Sequence, residues 1–312
     1  MEKNIISRKQ AIKQIGDLVM GTMIFPAIAA ARVKQPDRPN FLWIITEDCS
    51  ASYFGCYGDK QATTPNIDKL ASEGILYKNA CCQTPVCAPS RSTFMTGVYD
   101  NSMGTQHMRS FYSLPDFIKF YPYYLEKAGY YCTNRSKVDY NTAHKERWKT
   151  VWNECGPQAS YRNRATGQPF HETVTLLSTH EHVIFDWIPE NKLDHIPGNM
   201  HIPAYLPDTP EVRHDLAQYH DFVQKDDEKV GEILHRLERD GEADNTIVFL
   251  FSDHGGVLPR SKRFMFESGM QVPLIIRFPK KYQNLAPSSP GSISDHLVNL
   301  IDLAPSIFSL AG

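Results

Sequence analysis

Three short stretches hold the residue types that chemistry needs. Cys87-Ala88-Pro89-Ser90-Arg91 places a thiol just ahead of a permanently charged guanidinium. Glu47-Asp48 and Asp253-His254 place carboxylates and an imidazole directly after apolar runs. Pro85 and Pro89 bracket the cysteine, which predicts a fixed turn there rather than helix or strand. Ser90 then reads as the N-cap, and Gly97 as the stop, of a short helix. A cysteine at the positive end of a helix is placed to meet an anion, and Arg91 adds a planar fork for the same anion. Taken alone, the stretch fits a small buried core cysteine or a thiolate nucleophile activated by the helix terminus.

The elements that must position these groups can be read from periodicity. Phe41 to Thr46 and Asn245 to Ser252 are short, nearly continuous apolar runs, as expected of fully buried strands in a parallel sheet. Ligands of open α/β sheets bind beyond the carboxyl ends of strands, which is where Glu47, Asp48, Asp253 and His254 fall. Three carboxylates brought together need a cation, and an oxygen-rich shell suits Ca²⁺ or Mg²⁺. His254 is an unusual ligand for such a cation and is also suited to contact the nucleophile or a substrate. Thr64 to Gly74 reads as a capped helix with a glycine stop. Pro115 to Gly129 reads as a helix, Tyr130 to Thr133 and Phe170 to Ser178 as strands, and 135–168 as a polar surface segment. Residues 188–210 hold five prolines and read as a long loop, which in compact domains is often functional. Residues 211–239 carry the longest helical pattern, Val272 to Pro279 a further strand, and Asp302 to Leu310 a closing helix.

The order of these motifs resembles the sulfatase family. The resemblance rests on Glu47-Asp48, Thr64 to Ala71, Cys87-x-Pro89-Ser90-Arg91, Asp253-His254-Gly255, Val272 to Ile275 and Ile301 to Ser306, and spans residues 38–312. It implies an α/β fold of the alkaline-phosphatase/sulfatase type, a mixed, mostly parallel sheet sandwiched by helices. It implies that Cys87 is oxidised to formylglycine, whose hydrate is the nucleophile, by a formylglycine-generating or anaerobic sulfatase-maturating enzyme. It also implies Ca²⁺, with Mg²⁺ as the substitute, held by Glu47, Asp48, the modified Cys87, Asp253 and His254. Many members have Asp where Glu47 stands. By the same resemblance Arg91 steadies the nucleophile, His180 and Lys262 face the sulfate, and His180 or His254 protonates the leaving group. Lys137 matches the lysine of a Gly-Lys-x-His segment whose histidine is Asp139 here. His107 and Arg109 are candidate sugar contacts.

Tyr205 to Arg213 and Lys262 to Phe266 resemble the heparan N-sulfatase branch, which implies the N-sulfate of glucosamine in heparan-type glycans as substrate. An O-sulfatase of another sulfated polysaccharide, an alkaline-phosphatase-like hydrolase and a non-catalytic glycan binder remain open. The hydrolase alternative would require a Ser or Thr nucleophile, against which Cys-x-Pro-Ser-Arg counts. Family members continue into a smaller C-terminal subdomain. The expected organisation is therefore a signal peptide over 1–31, the catalytic domain over 38–312, and no C-terminal subdomain.

Bulk properties narrow the classes further. Lys and Arg total 33 and Asp and Glu total 35, a net charge of −2, which excludes nucleic-acid binding by bulk electrostatics. The seven cysteines include no Cys-x-x-Cys pair, which removes zinc-ribbon and thioredoxin readings. Basic residues up to Lys13, a short apolar stretch and small residues at 27–31 form an export-signal pattern, too short to span a membrane. The expected location is periplasmic or secreted, and the protein is not expected to be an integral membrane protein.

Overall fold

The computed structural model describes residues 38–312, apart from 144, 146 and 147. The export signal expected over 1–31 lies outside the described residues. Among the described residues eight strands form one sheet: β1 (Asn40–Thr46), β2 (Ile75–Cys81), β3 (Tyr131–Arg135), β4 (Glu154–Cys155), β5 (Phe170–Leu176), β6 (Thr246–Ser252), β7 (Leu274–Arg277) and β8 (Ser292–Asn299). Their spatial order is β4-β3-β5-β1-β6-β7-β2-β8. β7 runs antiparallel to both β6 and β2, and the other pairings are parallel.

β1 lies inside this sheet and is buried along its whole length. Successive side chains of a strand point to opposite faces. Phe41, Trp43 and Ile45 accordingly enter one core with Phe94, Tyr121, Phe249 and Phe251. Leu42 and Ile44 enter the other with Leu70, Leu216, Tyr219 and Val230. Trp43 meets Phe251 edge to face with ring centroids 5.2 Å apart. Both faces are thus covered, which is why β1 and β6 lack the alternation of a half-exposed strand.

The helix Pro210–Arg239 packs on the second face, with the Thr209 hydroxyl accepting from the Val212 amide. Its Asp227 carboxylate accepts from the Ile67 amide at 2.8 Å and the Asn66 side chain at 2.7 Å, which caps the start of the helix Pro65–Glu73. Gly231 permits that approach, since a Cβ there would stand 2.6 Å from Asn66 Oδ1. The 188–210 segment is a loop with two short 3-10 turns. Asp221 ties it down by accepting from the amides of Asp194 and His195 and from His195 Nδ1 at 2.7 Å.

The structure corrects several expectations. Cys87 does not precede the helix; it opens it, over Cys87–Thr96, with Val86 as N-cap and Ser90 inside. Pro89 is compatible because amides of a first helical turn have no intrahelical acceptor to lose. Gly97 ends the helix with φ +67°, as expected. The helix expected from Pro115 begins only at Pro122 and ends at Lys127. The 135–168 segment is not merely a surface wrap: Trp148 and Trp152 are core residues, their indole N–H groups donating to Thr142 and Tyr140.

Candidate active site

The carboxyl ends of β1 and β6 are adjacent in register, Thr46 opposite Ser252, so Glu47-Asp48 and Asp253-His254 emerge side by side. The Ser252 hydroxyl donates to the Thr46 carbonyl at 2.7 Å and the Asp48 amide donates to Asp253 Oδ1 at 3.2 Å, which locks the two ends together. The Cys87–Thr96 helix is docked onto them by Ser90, whose hydroxyl donates to the Asp253 carbonyl at 2.5 Å. Cys87, at 3% exposure, then stands with its sulfur 3.3 Å from His254 Nε2 and 3.6 Å from Asp48 Oδ1.

Three buried acids meet three buried or nearly buried cations here. Arg91 bridges Glu47 at 2.5 Å and Asp253 at 3.1 Å. Lys137 pairs with the other oxygen of Glu47. Lys262 reaches Asp48 Oδ2 at 2.7 Å. Burial alone would raise the Glu47 carboxyl, but Arg91 and Lys137 hold it down at about 2. Burial would likewise raise Asp48, which His254 and Lys262 hold well below the ordinary range. Asp253 is pushed up by its burial and by Glu47. Despite its burial, His254 is driven well above its ordinary value by Asp253 and Asp48. Its two ring nitrogens lie 2.8 Å from the Gly255 carbonyl and 2.9 Å from Asp48 Oδ1.

The thiol itself is not activated. Burial, then the facing carboxylates of Asp253 and Glu47, push Cys87 up despite its position at a helix start. The thiolate reading therefore finds no electrostatic support.

Other expected residues fall as follows. His180 offers a nitrogen that lies with Cys87 and a Glu47 oxygen inside one 4.8 Å group, and its Nδ1 is 2.7 Å from His182 Nδ1. Its burial lowers its pKa. Arg109 is exposed yet joined to the site, pairing with Asp139, which stands 3.9 Å from Lys137 Nζ. His107 is exposed and enters this loop by its carbonyl, which accepts from Asn141. For a cation, Asp48, Cys87, Asp253 and His254 each offer an atom within 4.8 Å of the others. Glu47, expected in that set, falls instead into the group with Cys87 and His180, because Arg91 and Lys137 draw its two oxygens.

Sequence reasoning missed Glu181, Thr179 and Tyr219. Glu181 lies 3.3 Å from Lys262 and 2.8 Å from Arg263, and its amide donates to Asp48 at 2.7 Å. Thr179 donates to the Glu47 carbonyl, and the Tyr219 hydroxyl donates to the Asp48 carbonyl at 2.5 Å. Thr179 and Glu181, on either side of His180, carried a local signal. Tyr219 sits in a helical pattern that reads simply as core.

Residues 39–312 match the family model described as Sulfatase. The chain is 36% identical to an ulvan-active sulfatase of Formosa agariphila across 91% of its own length and 54% of that protein. It is 26% identical to the human N-acetylgalactosamine-6-sulfatase across 89% of its length and 63% of that enzyme. The chain thus spans somewhat over half the length of these relatives. Among solved structures, one in complex with its substrate D-glucosamine-2-N,6-O-disulfate superposes with a TM-score of 0.66 at 19% identity, over 88% of this chain and 77% of that one. The phosphonate monoester hydrolase of Agrobacterium radiobacter superposes at 0.65 and 16% identity, over 86% and 72%. At these identities the structural likeness speaks for the fold alone, and it agrees with the mixed, mostly parallel α/β sheet.

Proposed function

The chain belongs to the sulfatase family, and we propose that it hydrolyses sulfate groups of a sulfated glycan at the cluster around Cys87. The observation that supports this best is the convergence of Cys87 with three carboxylates, three permanent cations and His254 in one buried place. Three acids and three cations cancel before His254 is counted. A divalent cation added to that set leaves a net positive pocket, which suits an anion such as a sulfate group.

The donors fit such a cation. Asp48 and Asp253 supply hard carboxylate oxygens, His254 an imidazole, and Cys87 the position of the nucleophile, with Glu47 flanking them. When present, Ca²⁺ or Mg²⁺ would polarise the sulfate oxygens, and a hydrated formylglycine made from Cys87 would supply the attacking hydroxyl. The remaining work falls to the chain. Arg91 fixes the Glu47 and Asp253 carboxylates in place. Lys137 and Lys262 place ammonium groups where sulfate oxygens gain charge. His180, close to Cys87, or His254 would in its protonated form deliver a proton to the leaving oxygen or nitrogen.

The names of the relatives, an ulvan-active sulfatase and an N-acetylgalactosamine-6-sulfatase, favour a sulfate ester on a polysaccharide. The resemblance of Tyr205 to Arg213 and Lys262 to Phe266 to the heparan N-sulfatase branch favours the N-sulfate of glucosamine. Export to the periplasm or beyond, and modification of Cys87 by a maturation enzyme, belong to the same proposal. Among the described residues no helix is long and apolar enough to cross a membrane.

The test is co-expression with a maturation enzyme, mass spectrometry of the Cys87 peptide, and sulfate release from N-sulfated and 6-O-sulfated glucosamine in parallel. An aldehyde at position 87 with release that Cys87→Ala abolishes is the expected result. A persistent thiol, or release unaffected by the substitution, overturns the catalytic reading. Which sugar reacts decides between ester and N-sulfate.

A further inference from the structure

Seven non-glycine residues have positive φ among the described residues: Asp48, Arg109, Ser136, Asp139, Asn141, Arg260 and Arg263. All lie in segments that carry or adjoin the Cys87 cluster. Side chains held in this sparsely populated region mark places where the surrounding structure fixes the backbone, and such places gather at ligand sites. Three of the seven are arginines. Arg109 is paired with Asp139 and Arg263 with Glu181. Arg260 is different. It is exposed, and it has no carboxylate partner among the described residues.

Its surroundings hold it in place all the same. The guanidinium carbon lies 4.2 Å from the centre of the Phe266 ring and 5.2 Å from that of Tyr205. The Arg260 carbonyl accepts from the Ser268 hydroxyl at 2.7 Å. Two residues on, Lys262 is buried against Asp48, and the Arg263 amide donates to the Pro85 carbonyl at 2.7 Å. The loop is therefore fastened to the segment that leads into Cys87. Contact with aromatic rings uses the flat faces of a guanidinium and leaves its N–H edge for a planar or tetrahedral oxyanion. A donor fork already ordered by its neighbours loses less freedom on binding than a free surface arginine.

We propose that Arg260, held by Tyr205 and Phe266, binds an anionic substituent on the sugar next to the one whose sulfate is released. The substituent is a carboxylate or a second sulfate. This inference rests on the glycan-sulfatase reading above and extends it: the substrate is a polyanionic oligosaccharide rather than an isolated sulfated sugar. Arg260 is exposed and two residues before Lys262 in the chain, and it makes no contact with the acids of the cluster among the described residues, so in this reading it sets preference and not chemistry.

The experiment uses the matured full chain and its Arg260→Ala variant on four substrates. These are a sulfated monosaccharide and three disaccharides in which the same residue is joined to a neutral sugar, a uronic acid or a second sulfated sugar. We expect Arg260→Ala to lose about fivefold to tenfold in kcat/KM, mainly through KM, on a charged disaccharide. The monosaccharide and the neutral disaccharide should change by less than about twofold. Whichever charged substrate shows the loss identifies the substituent. Equal loss on all four substrates, or no loss on either charged one, overturns the proposal. A calorimetric titration with the charged disaccharides lacking the scissile sulfate reads the same contact without turnover. If the wild-type chain releases no sulfate yet its binding weakens in the variant, the sulfatase reading falls and the Arg260 contact with a glycan anion stands. Absence of both turnover and Arg260-dependent binding sinks it.

Discussion

Glu47 holds two cations on one buried carboxylate, Arg91 on one oxygen and Lys137 on the other. Removing the charge strands both partners, so Glu47→Gln should cost about 3–5 kcal/mol in denaturant unfolding, far more than an exposed pair would. The sign of the pH effect follows from the same contacts. Glu47 falls from an ordinary 4.5 to about 2 in the folded chain. Its stabilisation is therefore complete above about 4.5 and drains away as pH falls towards 2. Acid titrations should show the wild type losing stability across that window and Glu47→Gln losing less of it; parallel curves would contradict the assignment. At this scale the sequence was informative where groups follow strands or recognisable motifs, as Asp48, Asp253 and Lys262 do. It was silent about pairing. Nothing near Glu47 in the chain says that Arg91 and Lys137, far along the sequence, take its two oxygens rather than a cation.

The elements that position the site were legible in proportion to their burial. β1 and β6, closed on both faces, stand out as apolar runs, and the helix Pro210–Arg239 shows its periodicity plainly. β2 and β8 were missed. β8 is an edge strand, largely exposed and polar, and β2 shifts register between Tyr77 and Asn79, so neither offers a clean period-two signal. The antiparallel direction of β7 was equally invisible, because a short apolar run does not encode its direction. Between elements, the Asp227 cap is the joint most open to test. Asp227→Ala leaves the Asn66 and Ile67 amides without their acceptor, and we expect a loss of about 1–2 kcal/mol in thermal unfolding. Asp227→Asn, which keeps one acceptor, should recover part of it. No change in either variant would mean that water replaces the carboxylate at no cost.

For the whole molecule, a cation that binds only the folded chain must stabilise it. At a hundredfold excess over its dissociation constant the gain is about 2.7 kcal/mol. We therefore expect Ca²⁺ to raise the melting temperature and Asp253→Asn to abolish the increase; an equal shift in the variant would place the cation elsewhere. The position of β1 also bears on the order in which the molecule can be made. Its two neighbours in the sheet are residues 170–176 and 246–252, so β1 waits for β6, about two hundred residues later, before both its edges are paired. Until Asp253 and His254 arrive behind β6, the helix that begins at Cys87 lacks the surface it docks against. Once they arrive, the thiol is sealed at 3% exposure. Any enzyme that converts this cysteine therefore works against a clock set by the synthesis of residues 246–254, and a preparation allowed to fold first will resist later modification.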